Sequence, residues 1–299
     1  MTMIYSSSIS GFCRSVSVFD ALKEIRQAGF DAVDFPLSVY SRKKDAPLCN
    51  DSWWRSWTEA VGSYAAELSL KIVQAHAPWE QTIAADLHYE APAPIYARIF
   101  EACDLLGCRH LVFHPVPYPH RIVSVQTLEI IHQYNLRWFS ELLPYAEKYG
   151  VTVELENTFD YYHFRMPSDP QLPHITAEQL LALADGLSSP YVGICLDTGH
   201  ANIAGQNIPQ MIRTFGTRLR SLHLNDNLGK RSGENEDLHL FPGEGNIDWV
   251  PVMEALRETG FAGALNLEPI ASLPDATPAQ RFDTLRQGRR WLETAYHKK

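Results

Sequence analysis

A single closed (β/α)8 barrel, spanning residues 1–299 as one domain, is the fold this sequence predicts, and three observations predict it. Short apolar runs alternate with longer segments of helical periodicity, eight times over. No stretch rich in Gly, Ser or Pro divides the chain in two. Six of the strand-like runs lead into, or contain, a carboxylate or imidazole, which is what the active mouth of such a barrel displays.

The elements follow in order. Ile4–Ser8 reads as the first strand and Val18–Gln27 as the first helix, closed by Gly29. Ala32–Phe35 precedes a helix over Trp53–Leu68, whose aromatic face packs on the sheet. Strand Lys71–Ala75 leads to helix Ile95–Leu106, and His110–Phe113 to a long helix, Val125–Tyr149. Thr152–Leu155 is followed by Ala177–Leu187, and Val192–Leu196 by a short helix at Pro209–Phe215. Leu219–Leu224 with Trp249–Thr259, and Gly263–Leu267 with Pro278–Ala295, complete the set. The competing architecture, an open doubly wound sheet, calls for a Gly-rich turn after an early strand, and none is present.

Composition narrows the function classes. With 45% hydrophobic and 20% charged residues the chain is typical of globular proteins. It has no apolar run of bilayer length and no basic-then-apolar leader, so a cytoplasmic, membrane-free protein is expected. Five cysteines without paired spacing exclude a disulfide framework. The net charge of −9 and the absence of long basic runs speak against a nucleic-acid partner.

The chemistry sits at the strand ends. The third strand runs into His76 (QAHAP), the fourth into His114 (VFHP) and the fifth into Glu156 (ELENT). The sixth closes on Asp197 and His200 (CLDTGH), the seventh holds His223 (SLHLND), and the eighth ends at Glu268 (NLEP). Alone, each is an ordinary structural His or a helix-capping Asp. Together at one mouth they would repel or stay unpaired without a cation, so a divalent metal is expected among them. Strand parity places Glu154 beneath Glu156, Cys195 beneath Asp197, Ser221 beneath His223 and Asn266 beneath Glu268. Such groups could orient the ligands, Glu154 foremost. Two long loops, Asn157–Thr176 and Asn225–Asp248, suit lids or binding elements. They carry Phe159, Tyr161, Tyr162, His163 and Arg165 in the first, and Lys230, Arg231, Asp237 and His239 in the second.

The motifs LENT (Leu155–Thr158), LDTGHAN (Leu196–Asn202), LHLND (Leu222–Asp226), DLHLFPGEGNIDW (Asp237–Trp249) and NLEP (Asn266–Pro269) resemble those of the xylose-isomerase-like barrel superfamily. That superfamily joins sugar isomerases and epimerases to endonuclease IV. In its sugar branch the resemblance implies metal ligands at Glu156, Asp197, His223 and Glu268, acid/base roles for Glu156 and Glu268, and a substrate contact at His200. In its nuclease branch it implies a trinuclear zinc site that adds His76, His114, His200, Asp237 and His239.

The expected activity is therefore a divalent-metal-dependent (Mn2+, Mg2+, Co2+ or Zn2+) isomerisation or epimerisation of a small sugar or sugar acid. It would proceed by proton abstraction beside a carbonyl through a metal-stabilised enediolate. Trp79, Phe159, Tyr161 and Trp249 are candidate walls for the sugar. The alternative is an endonuclease IV-like phosphodiesterase acting on abasic DNA. The resemblance also implies a homo-oligomer, which the scattered surface apolar positions do not themselves indicate.

Overall fold

The computed structural model describes residues 3–11, 13, 15–79, 81–122, 124–160, 172–229, 237–268 and 276–297. Eight strands form one sheet: β1 (Ile4–Ser8), β2 (Ala32–Phe35), β3 (Lys71–His76), β4 (His110–Phe113), β5 (Thr152–Glu156), β6 (Val192–Asp197), β7 (Leu219–His223) and β8 (Ala264–Leu267). They run parallel in the order β7-β6-β5-β4-β3-β2-β1-β8. Just beyond β7, Leu224 bridges Leu267 of β8 in parallel sense. Its N–H donates to Asn266 O at 2.8 Å, and its carbonyl accepts from Glu268 N at 3.0 Å. These bonds join the two ends of the sheet and make it a (β/α)8 barrel.

The surrounding helices are α1 (Val18–Gln27), α2 (Leu37–Ser41), α3 (Trp54–Glu67), α4 (Ile95–Leu105), α5 (Val125–Tyr149), α6 (Ala177–Leu187), α7 (Thr198–Ile203), α8 (Ile208–Phe215), α9 (Trp249–Glu258) and α10 (Pro278–His297). Local chemistry sets their ends. Ser17 caps α1 by accepting the Asp20 N–H, and Thr176 with Gln179 forms a reciprocal capping box on α6. α5 stops at Gly150, whose φ of 61° lies in the left-handed region. α1 buries Val18, Ala21, Leu22 and Ile25, the i, i+3, i+4, i+7 stripe of a helix laid on a sheet.

Two helices depart from the sequence expectation. α2 spans five residues, too few for a periodic pattern to show. α7 begins directly at the end of β6 because the Asp197 side chain accepts the His200 N–H at 2.7 Å and caps it. One residue therefore serves both as a helix cap and as a group facing the barrel mouth. Among the described residues, no helix is long and apolar enough to cross a membrane.

The apolar core lies between strands and helices, whereas the barrel interior is polar. Ser6, Asp34, Gln74, Glu154, Glu156, Asp197, Ser221, His223 and Asn266 are all buried. Register concentrates part of this set, since Asp197 and His223 are direct partners across β6 and β7, and Glu156 faces Cys195 across β5 and β6.

Candidate metal centre

At the C-terminal mouth of the barrel the nine expected ligand-type residues fall into four clusters. In each, the donor atoms lie within 4.8 Å of one another: His76–Glu156–His223, His114–Glu156–His200, His200–Asp237–His239 and Asp197–His223–Glu268. Glu156 links the first two. Its Oε1 is 2.9 Å from His223 Nδ1, and its Oε2 is 2.9 Å from His114 Nε2 and 3.3 Å from His76 Nε2. Glu268 Oε2 lies 3.7 Å from His223 Nδ1 and 3.4 Å from His239 Nδ1. Asp237 Oδ2 lies 3.1 Å from His239 Nε2 and 3.8 Å from His200 Nε2.

The outward contacts of the imidazoles are as telling as the inward ones. His76 Nδ1 bonds the Ala77 carbonyl at 2.8 Å, and His200 Nδ1 bonds the Asn157 carbonyl at 2.9 Å. His223 Nε2 bonds Asp34 Oδ2 at 3.1 Å. A ring nitrogen facing such an acceptor must carry the proton. In the neutral ring the other nitrogen is then a bare lone pair, and here it faces Glu156 or Asp237. Lone pair against carboxylate is repulsive unless a proton or a cation lies between them.

The electrostatics agree. Burial opposes charging His200, but Asp197, Asp237 and Glu156 outweigh it and lift the imidazole to about 10. Burial likewise opposes charge on His223 and His239, and neighbours that include Glu268 and Glu156 for the first, Glu268 and Asp237 for the second, raise both. Burial raises Asp197, aided by Glu268 and Glu156, to about 6. Glu268, despite its burial, is drawn down to about 2 by His223 and His239. His114 moves the other way, because burial and the neighbouring His76 and His200 disfavour its cation.

Hydrogen bonds from neighbouring strand ends hold the clustered side chains. Asn157 and Asp197 exchange two bonds: Asn157 Nδ2 donates to Asp197 O at 3.0 Å, and Asp197 N donates to Asn157 Oδ1 at 2.8 Å. Asn225 Nδ2 donates to Asp197 Oδ2 at 2.8 Å. Gly199 permits this approach, because a Cβ there would fall on Asn225 Oδ1. Asp226 anchors the loop that carries Asp237 and His239. It accepts from Gly243 N at 2.8 Å, Ile247 N at 3.2 Å and Trp249 Nε1 at 2.9 Å, and its backbone bridges Leu240.

Two side chains depart from their expected roles, and a third was not anticipated. Glu154 bonds His110 Nδ1 at 2.6 Å instead of orienting a ligand. Two residues along a strand is about 7 Å, too far for its carboxylate to support Glu156 directly. The support comes from Asp34, which the strand-end reading passed over. Its Oδ2 accepts from His223, from Gln74 Nε2 at 3.3 Å and from Asn266 Nδ2 at 3.2 Å. The available signal was a carboxylate inside a four-residue strand, AVDF. Trp249 is committed to Asp226 and to Trp291, 5.1 Å away ring to ring, so it is a strut of the loop and not a wall of the site. Trp79 and Phe159 do border the centre, with rings 5.1 Å from His76 and 5.1 Å from His200 respectively. Tyr161, Tyr162, His163, Arg165, Lys230 and Arg231 lie outside the described residues.

The family model of the xylose isomerase-like TIM barrel matches residues 22–295. The chain belongs to that family. Inosose isomerase of Bacillus subtilis is 28% identical over 172 residues, covering 57% of this chain and 57% of that protein. D-psicose 3-epimerase of Enterocloster bolteae is 36% identical over 137 residues, covering 45% of this chain and 38% of that protein. The chain thus spans less than two thirds of the length of these relatives. The solved IOLI protein, with a binding zinc atom, superposes with a TM-score of 0.74 at 19% identity, covering 99% of this chain and all of that one, a likeness of fold.

Proposed function

We propose that this family member is a divalent-metal-dependent sugar isomerase or epimerase. The observation that carries the reading is the buried convergence of Glu156, Asp197, His223 and Glu268, in which His223 is anchored outward to Asp34 through Nε2 while its inner Nδ1 faces Glu156 and Glu268. Glu156, Asp197, His223 and Glu268 would hold the ion, and their mixed oxygen and nitrogen donors suit Mn2+, Co2+ or Zn2+ as well as Mg2+. When bound, the cation supplies Lewis acidity, polarising a carbonyl oxygen and acidifying the carbon beside it.

The remaining work falls to side chains. Glu156 and Glu268 project from strands three places apart around the barrel and flank His223 at 2.9 and 3.7 Å. Both are held below the usual carboxylate range despite burial, by His114 and His223 for the first and by His223 and His239 for the second. Either is thus ionised and able to take a proton from a carbinol carbon, and the other can return it, on the opposite face for an epimerase. His200, charged through Asp197 and Asp237, can donate to a substrate oxygen. Trp79 and Phe159 border the centre and offer aromatic surface to a sugar. The relatives named inosose isomerase and D-psicose 3-epimerase support the substrate class. The test is incubation of the metal-loaded protein with ketoses in deuterated water. Carbon-bound exchange is expected, and its absence across ketoses and inososes rejects the reading.

The clusters His114–Glu156–His200 and His200–Asp237–His239 favour one second reading, a three-metal phosphodiesterase. Three tightly held zinc ions with salt-dependent cleavage of an abasic duplex would select it. One ion with no cleavage would reject it. The net charge of −9 stands against a DNA partner.

A further inference from the structure

Beside the ligand cluster lies a cavity of about 350 Å³, within the range of about 300–1,000 Å³ that takes small organic ligands. It is continuous with the centre. His114, a member of the cluster, is part of its wall, and so are Phe159 and Trp79, which abut His200 and His76. Its chemistry differs from that of the centre, with Pro115, Val116, Ile122, Ile131, Leu172 and Pro173 forming much of the lining.

Polar side chains are the smaller part of the lining: Tyr118 Oη donates to Ala85 O at 3.3 Å, Thr158 Oγ1 donates to His174 O at 3.4 Å, and Asp160 is a half-buried carboxylate. Arg121 and His120 are exposed, so they stand where water reaches. His174 is buried in the wall, and burial, with His132 nearby, pushes its imidazole down to about 3, which leaves it uncharged. A free ketose carries a hydroxyl on nearly every carbon. Placed against prolines and branched aliphatics, those hydroxyls would lose water without gaining partners. An alkyl or aryl group placed there loses only unfavourable contact with water. Trp79 is 39% exposed at the boundary of cavity and centre, where its ring stands between the Arg42 guanidinium, 4.8 Å from the centroid, and His114, 5.9 Å away ring to ring.

We propose, building on the isomerase or epimerase reading, that the substrate is a sugar ketone bearing an apolar substituent. The substituent lies in this cavity while the carbonyl and carbinol carbons lie at Glu156 and Glu268. An aryl or alkyl glycoside of a keto sugar has this chemistry, since the group on its anomeric oxygen is separate from the reacting carbons. Trp79 and Phe159 then mark the junction between the polar and apolar parts of the ligand.

Two measurements on the metal-loaded protein test this. The first compares binding of phenyl and methyl β-D-glucopyranoside, which lack a ketone and cannot react, by saturation-transfer NMR and titration. The phenyl compound should bind about tenfold tighter or better, with its ring protons receiving the strongest transfer. Val116→Thr, which keeps the shape and adds a hydroxyl, should narrow that ratio by about threefold or more. A ratio near one, or a ratio unmoved by Val116→Thr, overturns the proposal. The second compares deuterium exchange into the 3-keto forms of both glucosides and into free ketoses. Preference for the phenyl compound supports the proposal. Equal exchange with all of them overturns it and leaves the isomerase or epimerase reading intact. Tighter phenyl binding with no exchange in any compound supports the apolar pocket and removes the isomerase or epimerase reading instead.

Discussion

Asp34→Asn should weaken metal binding about tenfold while leaving the barrel folded. Asp34 Oδ2 receives three donors from three strands: His223 Nε2 at 3.1 Å, Gln74 Nε2 at 3.3 Å and Asn266 Nδ2 at 3.2 Å. Asn keeps the shape and can turn its oxygen toward the same donors, so little packing is lost. What disappears is the negative charge. A hydrogen bond to a charged partner contributes about 1.5–3 kcal/mol, and a neutral one about 0.5–1.5 kcal/mol. The difference is about 1.4 kcal/mol, or a factor of about ten. It should appear in metal affinity because the Nε2 bond fixes the His223 tautomer and makes the inward Nδ1 a stronger donor. Competition with a chromogenic chelator, using Zn2+ and Mn2+ separately, measures it. The larger change Asp34→Ala would strand three buried donors and should also lower the melting temperature. If Asp34→Asn binds both metals within about twofold of the parent, His223 is not a ligand tuned through Asp34.

Other expectations follow from the same geometry. Glu268→Gln should lower carbon-bound exchange by about 10²–10⁴-fold, and retained exchange would remove Glu268 from the acid/base pair. Stripping the metal with a chelator should lower the melting temperature and Zn2+ or Mn2+ should restore it, because an ion that binds only the folded protein stabilises it by mass action. An unchanged melting curve would argue against a bound ion. Gly199→Ala puts a Cβ onto Asn225 Oδ1 and should cost about 1–3 kcal/mol in urea unfolding; a neutral result would mean the Asn225–Asp197 contact is dispensable. His174 is held at about 3, chiefly by burial, against the 6.5 of an ordinary imidazole, so between those pH values the unfolded chain binds a proton that the native chain does not. Its contribution to stability is therefore present above 6.5 and lost as pH falls toward 3, at up to about 1.4 kcal/mol per pH unit. His174→Gln should flatten the urea midpoint across that window, and parallel curves for the two proteins would assign the acid sensitivity elsewhere.

The alternation of strands and helices, the stop at Gly29 after the first helix, and the ligand types at His76, His114, Glu156, Asp197, His223 and Glu268 were legible in the chain, because periodicity and helix stops are local properties. So was the conflict of charge at the strand ends, since eight parallel strands must bring their C-terminal ends to one mouth. What the chain alone left open depends on distances between segments far apart in it. Asp34 meets His223 across 189 positions, and only barrel closure shows that it, and not Glu154, lies beneath that imidazole. Trp249 reads as an aromatic wall until Asp226 and Trp291 are seen to hold it in the loop. α7 was hidden because Asp197 caps a helix with the same carboxylate that faces the centre. The cavity walled by Val116, Ile122 and Leu172 has no signature in any one segment, since its shape exists only where separate loops pack together. Local pattern names the elements and the donor atoms, and tertiary packing decides which donors meet and what kind of surface lies beside them, because both are set by contacts between residues remote in sequence.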